Sequence, residues 1–508
     1  MESEFLEHAL DLFSTRGVEK DILGGRTIGF RPFSESDPLI FNLESQGKNQ
    51  YLKIDSVRCN AVCQILNEDG TLLDGNEDIS IVNMFPSSLF QIIDIVLNNI
   101  PITELTSHYA NYVSAVKTFL SYNTEASQTN LQGQMFIPDD AYRFDSNTLS
   151  SDKAEIIEYF KTNSRFYTPD AIKDILSVSH IKDTVNDKSV DANGQKLTEQ
   201  KVKEVNFQSK QYTQSIVDAL VESYENKERL NSGFVERAKI IKGSKKFDYY
   251  IPLANDFLQS DRLLHPSVNL KIVLGRAPDS FSILSLENKG FTVKITDLKM
   301  FARYVTVSDK VVEQHEKKIN NNEPLIYPIA KTMVKTYNLP PGERTKYISN
   351  MFMGVLPKSI IVTFVLTDAF HGNQSLNPYN FNHHDMSGCE LRVNGESIPG
   401  EPIAPDFEND IFLREYMELY RNVGIDVAED AGNIITPALY KSGMFFMCFD
   451  LTGDQCNMLH RHKREEGNID AHIIFKKALP KALTVLALAT FDADLEITKK
   501  QGPIVKYY

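Results

Sequence analysis

The chain has 508 residues, 42% of them apolar and 10% aromatic, and a formal charge of −14. That length predicts two or more domains, and the apolar content excludes a disordered chain. The acidic balance argues against direct binding to phosphate backbones: basic residues cluster only briefly, at Lys239, Lys242, Lys245 and Lys246 and at Arg461, Lys463 and Arg464.

The first residues, MESEFLEHALDLFSTRG, are acidic and lack the basic start and long apolar core of an export signal. Phe5, Leu6, Leu10 and Phe13 recur at helical spacing, which predicts an amphipathic arm over residues 1–24. From Asp37 to Pro101 the texture is strands and turns: DPLIFNLES, YLKIDSVRCNAVCQIL, DISIVNMF and SLFQIIDIVLNNIPI, with the turn-rich NEDGTLLDGNED among them. Residues 108–122 place Tyr109, Tyr112, Val113, Val116, Phe119 and Leu120 at three- and four-residue steps, the signature of an amphipathic helix. Residues 123–232 are polar, with helical pieces at 152–161, 169–178 and 214–230. They predict a large insertion near 140–228 that reaches the outer surface or a neighbour.

Strands return with KKFDYYIPL and VNLKIVLGR. In FTVKITDLKMFARYVTV (291–307) the buried parity switches from Phe291, Val293 and Ile295 to Leu298 and Met300. This predicts a bulge near Asp297. The domain boundary is expected just before this strand, near 285–290, giving a first domain over 25–288 and a second over 289–508. A charged helix (308–319), a strand (359–370), a helix (410–424) and three closing strands follow. The longest apolar run, ALTVLALATF, has half the length of a membrane span, so no transmembrane segment is expected.

Two stretches share an outline. IDIVLNNIPITEL (93–105) and CELRVNGESIPGEP (389–402) each give a strand, an Asn-Asn or Asn-Gly turn, a return strand broken by proline, and then a tyrosine-bearing helix. Asn-Gly fits the turn that matches strand twist, and the proline confines the return strand to an edge. NMFPSSLFQIIDIVL from Asn83 and NMFMGVLPKSIIVTFVL from Asn350 extend the likeness. The predicted fold is all-β: two tandem β-sandwiches of about eight strands, each with a helix in one long loop.

The residues that could carry chemistry do not assemble into a site. Five cysteines make no disulfide framework. Cys59 and Cys63 share one strand face but stand about 13 Å apart at strand rise, too far for a disulfide or one metal ion. They read as core residues of a protein kept in a reducing compartment. LGGRTIGF lacks the Lys-Ser/Thr of a phosphate loop, and no G-x-S-x-G elbow occurs. His383, His384, Asp385 and Cys389, and Cys456, His460 and His462, lack the paired spacing of a zinc site. Asp139–Asp140 and Glu465–Glu466 are sequence neighbours, which on a strand face opposite ways. No catalytic, cofactor-binding or metal residue is assigned, and no enzyme activity is expected.

Residues 324–407 carry Tyr327-Pro328-Ile329, Gly354 with Leu356-Pro357, Asn377-Pro378 through Phe381, and Asn394-Gly395 with Pro399-Gly400 and Pro402. Here the chain resembles the double jelly-roll major capsid proteins of Polinton/Maverick elements and adintoviruses. The resemblance covers roughly 229–508, with a weaker part over 79–135, and departs from the family at the long helical insertion. It implies two jelly rolls side by side in one chain, and a homotrimer that forms a pseudo-hexameric capsomer. It further implies an icosahedral virion shell tiled inside the host cell, with a separate penton protein at the vertices and minor capsid proteins as possible partners. Sequence-specific nucleic-acid binding is not implied. The competing readings are a carbohydrate-binding or hydrolytic β-sandwich protein and a minor capsid protein of the same particle.

Overall fold

The structure is a computed structural model that describes residues 20–34, 37–75, 77–102, 109–147, 231–286, 289–425, 432–453, 464–500 and 502–507. The predicted arm up to residue 19, most of the predicted insertion, and Cys456, His460, Arg461, His462 and Lys463 lie outside the described residues.

The first sandwich is built from β1 (Ile22–Phe30), β2 (Leu39–Leu43), β3 (Gln50–Leu66), β4 (Ile79–Ile81), β5 (Phe90–Leu97), β6 (Ile100–Pro101), β7 (Phe247–Pro252), β8 (Leu263–Leu264), β9 (Leu270–Arg276), β10 (Ile283–Ser285) and β11 (Thr292–Val307). Its sheets run β1-β11-β3-β7, with β8 beside β3, and β2-β9-β5-β6, while β4 and β10 form a separate ribbon. The second sandwich holds β12 (Leu325–Leu339), β13 (Thr345–Val355), β14 (Ser359–Leu366), β15 (Met386–Val393), β16 (Glu396–Ile403), β17 (Met447–Asp450), β18 (Glu466–Phe475), β19 (Leu483–Thr498) and β20 (Gly502–Tyr507). Its sheets run β12-β19-β14-β17, with β20 beside β19, and β13-β18-β15-β16.

With the accessory strands β4, β8, β10 and β20 set aside, the two halves are topologically identical. In each, the first, eighth, third and sixth strands form one sheet, and the second, seventh, fourth and fifth form the other. This is the jelly-roll order, present twice. Alternating side chains produce it locally. In β3, Val57, Cys59, Ala61, Cys63 and Ile65 are buried, while Arg58, Asn60 and Gln64 between them are only half-buried.

The matched hairpins occupy the same position in both halves: β5 with β6, and β15 with β16, are the fourth and fifth strands. Asn98 and Asn99 (φ 49° and 67°) and Asn394 and Gly395 (φ 52° and 89°) all take the left-handed conformation that such tight turns demand. Both return strands, β6 and β16, are sheet edges, as their prolines require.

Two expectations need correction. Strand 292–307 does not open the second domain. It is β11, the eighth strand of the first sandwich, paired in register with β3 and β1. The expected boundary at 285–290 therefore moves past it, into the connection between β11 and β12. The strand's own pattern gave its bulge correctly, with the register shifting between Ile295 and Asp297, but not its partners, which lie more than two hundred residues upstream. The second correction concerns the segments that begin at Asn83 and Asn350. Asn83 leads through a short helix (Phe85–Ser88) into the fourth strand of its sandwich, whereas Asn350 lies within a second strand that turns into a third. They resemble each other in composition and are not equivalent.

Four helices matter below: α1 (Ala110–Ser121), α2 (Ser232–Ile241), α3 (Asp309–Asn320) and α4 (Leu413–Val423). α1 and α4 each follow the fifth strand of their sandwich, and α3 bridges the sandwiches. The end of the strand expected over 359–370 is a helical turn, Thr367–Phe370. Among the described residues, no helix is long and apolar enough to cross a membrane.

The sandwich cores are fused. One buried cluster joins the first sandwich interior to Tyr327, Ile329, Ala493, Leu495 and Ile497 of β12 and β19. The other joins the second sandwich interior to Tyr112, Val116, Phe119, Phe136, Phe234 and Phe281 from the first. The two jelly rolls are packed as one body.

Candidate functional site: the seam between the sandwiches

α1 positions the aromatic half of this seam. Its apolar face carries Tyr112, Ala115, Val116, Phe119 and Leu120, all buried. The Tyr112 ring stacks on Phe370 at 5.6 Å and meets Phe281, Tyr379 and Phe381 edge-on at 5.5, 6.1 and 6.2 Å. Phe119 meets Tyr379 and Phe381 at 6.3 and 6.4 Å. Phe370, Tyr379 and Phe381 all belong to the connection between the third and fourth strands of the second sandwich. Such ring pairs contribute about 0.5–1.5 kcal/mol each beyond their area burial.

A buried polar knot forms the other half. The Arg237 side chain on α2 is fully buried and donates from Nη2 to Asp139 Oδ1 at 2.5 Å, from Nε to the Ile81 carbonyl at 2.7 Å, and from Nη1 to the Ile137 carbonyl. Asp139 also accepts from Asn231 Nδ2 and from Asn377 Nδ2, both at 2.8 Å. Asp145 receives the Asn377 amide and Asn380 Nδ2, again at 2.8 Å each. Segments 137–145 and 231–237 are thereby pinned to 377–380 of the second sandwich. A Cβ on Gly233 would sit 2.1 Å from the Pro138 carbonyl oxygen, so only glycine lets α2 approach this closely.

The knot corrects the near end of the predicted insertion. Residues 144–147 are not outer-face loop: Phe144, Ser146 and Asn147 are buried in the seam. The hydrophobic Phe144 and the hydrogen-bonding capacity of Asp145 are spent on the second sandwich.

The remaining candidates are dispersed. Asp139 and Asp140 have separate tasks, since Asp140 accepts from the Ser232 amide at 2.6 Å and its hydroxyl at 2.8 Å at the start of α2. Cys59 and Cys63 are free and buried, as are Cys389 and Cys448, and burial pushes the thiols of Cys59 and Cys63 up to about 12. Glu466 pairs with Arg464 at 2.6 Å, while the Glu465 carbonyl accepts from the Leu356 amide at 2.9 Å. Lys239 pairs with Glu236, and Lys242, Lys245 and Lys246 are exposed. Among the described residues, no three His, Cys, Asp or Glu side chains are grouped to hold a metal ion.

His383 stacks on Phe407 at 3.7 Å, and its Nδ1 accepts from the Asp385 amide at 3.0 Å. Burial, with Lys441 nearby, pushes its pKa down to about 4. Burial, with His383 nearby and Asp385 partly opposing, takes His384 to about 4 as well. A third such histidine had no signal in the sequence. His265 lies edge-on to Tyr51 at 5.2 Å, and the Tyr51 hydroxyl meets His315 Nδ1 of α3 at 3.1 Å. Burial, then His315, takes His265 to about 4, with Glu316 opposing. All three histidines are neutral in the folded protein where the unfolded chain, titrating near 6.5, already binds protons. Their contribution to stability should therefore be level above about pH 6.5 and fall between pH 6.5 and 4, by up to ~1.4 kcal/mol per pH unit for each histidine. Urea denaturation from pH 7 to 4.5 checks this, and His384→Asn should flatten the slope by about one proton.

No family model matches the chain. An uncharacterized protein of Caenorhabditis elegans is 24% identical over 256 residues, which are 49% of this chain and 61% of that protein. The match thus spans about three-fifths of that relative's length. Among solved structures, a chain of the Sputnik virophage, determined by cryo-EM, superposes with a TM-score of 0.54 at 11% identity, covering 99% of this chain and 93% of that one. PBCV-1 VP54, fitted into a reconstruction of virophage Sputnik, gives 0.49 at 9% identity over 98% of this chain and 99% of its own. The mavirus major capsid protein gives 0.45 at 11% identity over 99% and 95%. The Sputnik superposition extends over both sandwiches, so the likeness is one of the whole double fold.

Proposed function

We propose that the chain is a major capsid protein of the double jelly-roll type, which trimerises into pseudo-hexameric capsomers that tile an icosahedral virion shell. The observation that carries this reading is the duplication itself: one strand order, twice, with shared buried clusters joining the two copies. Three chains then present six like sandwiches around an axis, and a closed ring follows when the contact between chains repeats the contact within one. The fold shared with a virophage chain supports the same reading.

On this reading the protein is not an enzyme, and its partners are further copies of itself, a penton protein and minor capsid proteins. Its place is the virion, after assembly in the host cell. The Polinton and adintovirus type rests on the motifs around 324–407. A sugar-binding role is less well supported, because the exposed aromatics among the described residues, Phe33, Tyr142, Tyr250 and Tyr347, sit on separate elements and do not share one strand or helix. Electron microscopy of the purified, concentrated protein tests the proposal: three-chain rings and shells are expected, and isolated single chains would refute it.

A further inference from the structure

We infer that α3 is an acid-released latch: His265 and His315, gathered around Tyr51, hold this bridging helix on the first sandwich while their rings are neutral and free it when they gain protons. Such a release needs no assembly. It precedes the general loss of stability in acid, because one element leaves before the sandwiches unfold.

The surface that holds α3 is small. Of its residues only Val312 is buried, and Val312 packs with Tyr51 and Val307 in a cluster separate from both sandwich cores, with Val311 and Leu263 at its margin. At the start of the helix Ser308 donates from its amide to the Asp21 carbonyl at 2.8 Å and from its hydroxyl to Asp21 Oδ1 at 3.0 Å, and Asn49 Nδ2 donates to Asp309. At its end Lys499 Nζ donates to Asn320 Oδ1 at 3.4 Å. Between them Glu316 pairs with Lys48 at 3.5 Å, and both side chains are largely exposed. Exposed pairs of this kind contribute little. The middle of the helix therefore depends on Val312 and His315.

His315 Nδ1 stands 3.1 Å from the Tyr51 hydroxyl of β3, and the His265 ring lies edge-on to Tyr51 at 5.2 Å and 6.3 Å from the His315 ring. His265 is held as an acceptor. Its Nδ1 accepts from the Ser267 amide at 3.1 Å and faces Ser267 Oγ at 2.8 Å, while its own amide donates to the Tyr327 hydroxyl of β12 at 3.3 Å. The neutral ring thus carries its proton on Nε2, which is buried with no hydrogen-bond partner among the described residues. A second proton would set Nδ1–H against the Ser267 N–H. The resulting charge would be buried close to His315.

The charged groups nearby do not offset this. Glu316 favours the His265 cation but is engaged by Lys48, and Lys318 disfavours the cation at His315. Arg262 donates to the Ile326 carbonyl at 2.6 Å, and Glu44 lines a small pocket together with His265. Tyr51 and Tyr327 stay protonated throughout, since burial pushes both up to about 12. Lifting α3 removes His315 from the site and gives both rings to water. Burial and then His315 hold docked His265 at about 4, against about 6.5 for a hydrated imidazole. Docking is therefore complete above about pH 6.5 and weakens as the pH falls towards 4.

Hydrogen exchange of the full-length protein at pH 7 and pH 5, corrected for the intrinsic effect of pH on the exchange rate, tests the latch. In wild type the opening of amides 309–320 should rise about twentyfold at pH 5 through His265 alone, and further through His315. Amides of β3 and β11 should not follow, and His384→Asn, in the second sandwich, should respond as wild type does. His265→Asn, whose Oδ1 can still accept from the Ser267 amide, should lower the rise about twentyfold, and His265→Asn/His315→Gln should abolish it. No rise in wild type, a rise shared equally by β3 and β11, or a full rise in the double variant would each overturn the latch. The comparison of α3 with β3 and β11 within wild type decides between local release and general unfolding even where a variant does not fold.

Discussion

Asp139→Ala is expected to lower stability by about 3–5 kcal/mol. Arg237 would keep a guanidinium at zero exposure, without the carboxylate it pairs with at 2.5 Å. Its bonds to the Ile81 and Ile137 carbonyls persist but supply no compensating negative charge, while Asn231 and Asn377 each lose an acceptor. The double variant Asp139→Leu/Arg237→Met should recover much of the loss, because a buried ion pair replaced whole by apolar groups is often neutral. Denaturant midpoints of the single and double variants measure both. Equal destabilisation in the two would mean that the charge is not what makes the single variant costly.

Tyr112→Ala should cost a similar amount, about 3–5 kcal/mol, through the cavity left among Phe281, Phe370, Tyr379 and Phe381. Tyr112→Phe should be neutral or slightly stabilising. Among the described residues the buried Tyr112 hydroxyl has no hydrogen-bond partner, so its removal relieves a desolvation penalty and opens almost no space. Because Tyr112 lies on the first sandwich's helix and three of its four ring partners, Phe370, Tyr379 and Phe381, lie between strands of the second, the alanine variant should also loosen the two sandwiches from each other. Hydrogen exchange of α1 and of the backbone at 367–381, faster in Tyr112→Ala than in Tyr112→Phe, checks that coupling.

Both predictions fall on the seam, and the seam is what sequence reading found least. The hairpins at 93–101 and 389–399 were legible because turn chemistry is local: Asn98, Asn99, Asn394 and Gly395 announce left-handed backbone by their identity. α1 and α4 were legible from three- and four-residue spacing. Strand 292–307 revealed its bulge, yet its membership of the first sandwich depends on β3, and nothing in its own alternation names that partner. The knot was invisible for the same reason. Asp139 lies 98 residues from Arg237 and 238 from Asn377, and each taken alone reads as an ordinary surface polar residue. Asp139 and Asp140 read in sequence as adjacent carboxylates, whereas what defines Asp139 is its pairing with the distant Arg237. His265 is similar, since its neutrality comes from burial beside Tyr51 and then from His315 on α3 rather than from its neighbours in sequence.

The duplicated jelly roll explains why a chain with no assembled chemistry among its described residues has so well-ordered an interior. Its two halves are joined by aromatic rings on one side and an ion pair on the other, as the proposed shell role would require of a subunit. Sedimentation equilibrium of the purified full-length chain at rising concentration tests this most directly. The account predicts a mass of three chains with no stable dimer on the way to saturation. A single-chain mass at every concentration, or a closed two-chain species, would contradict it.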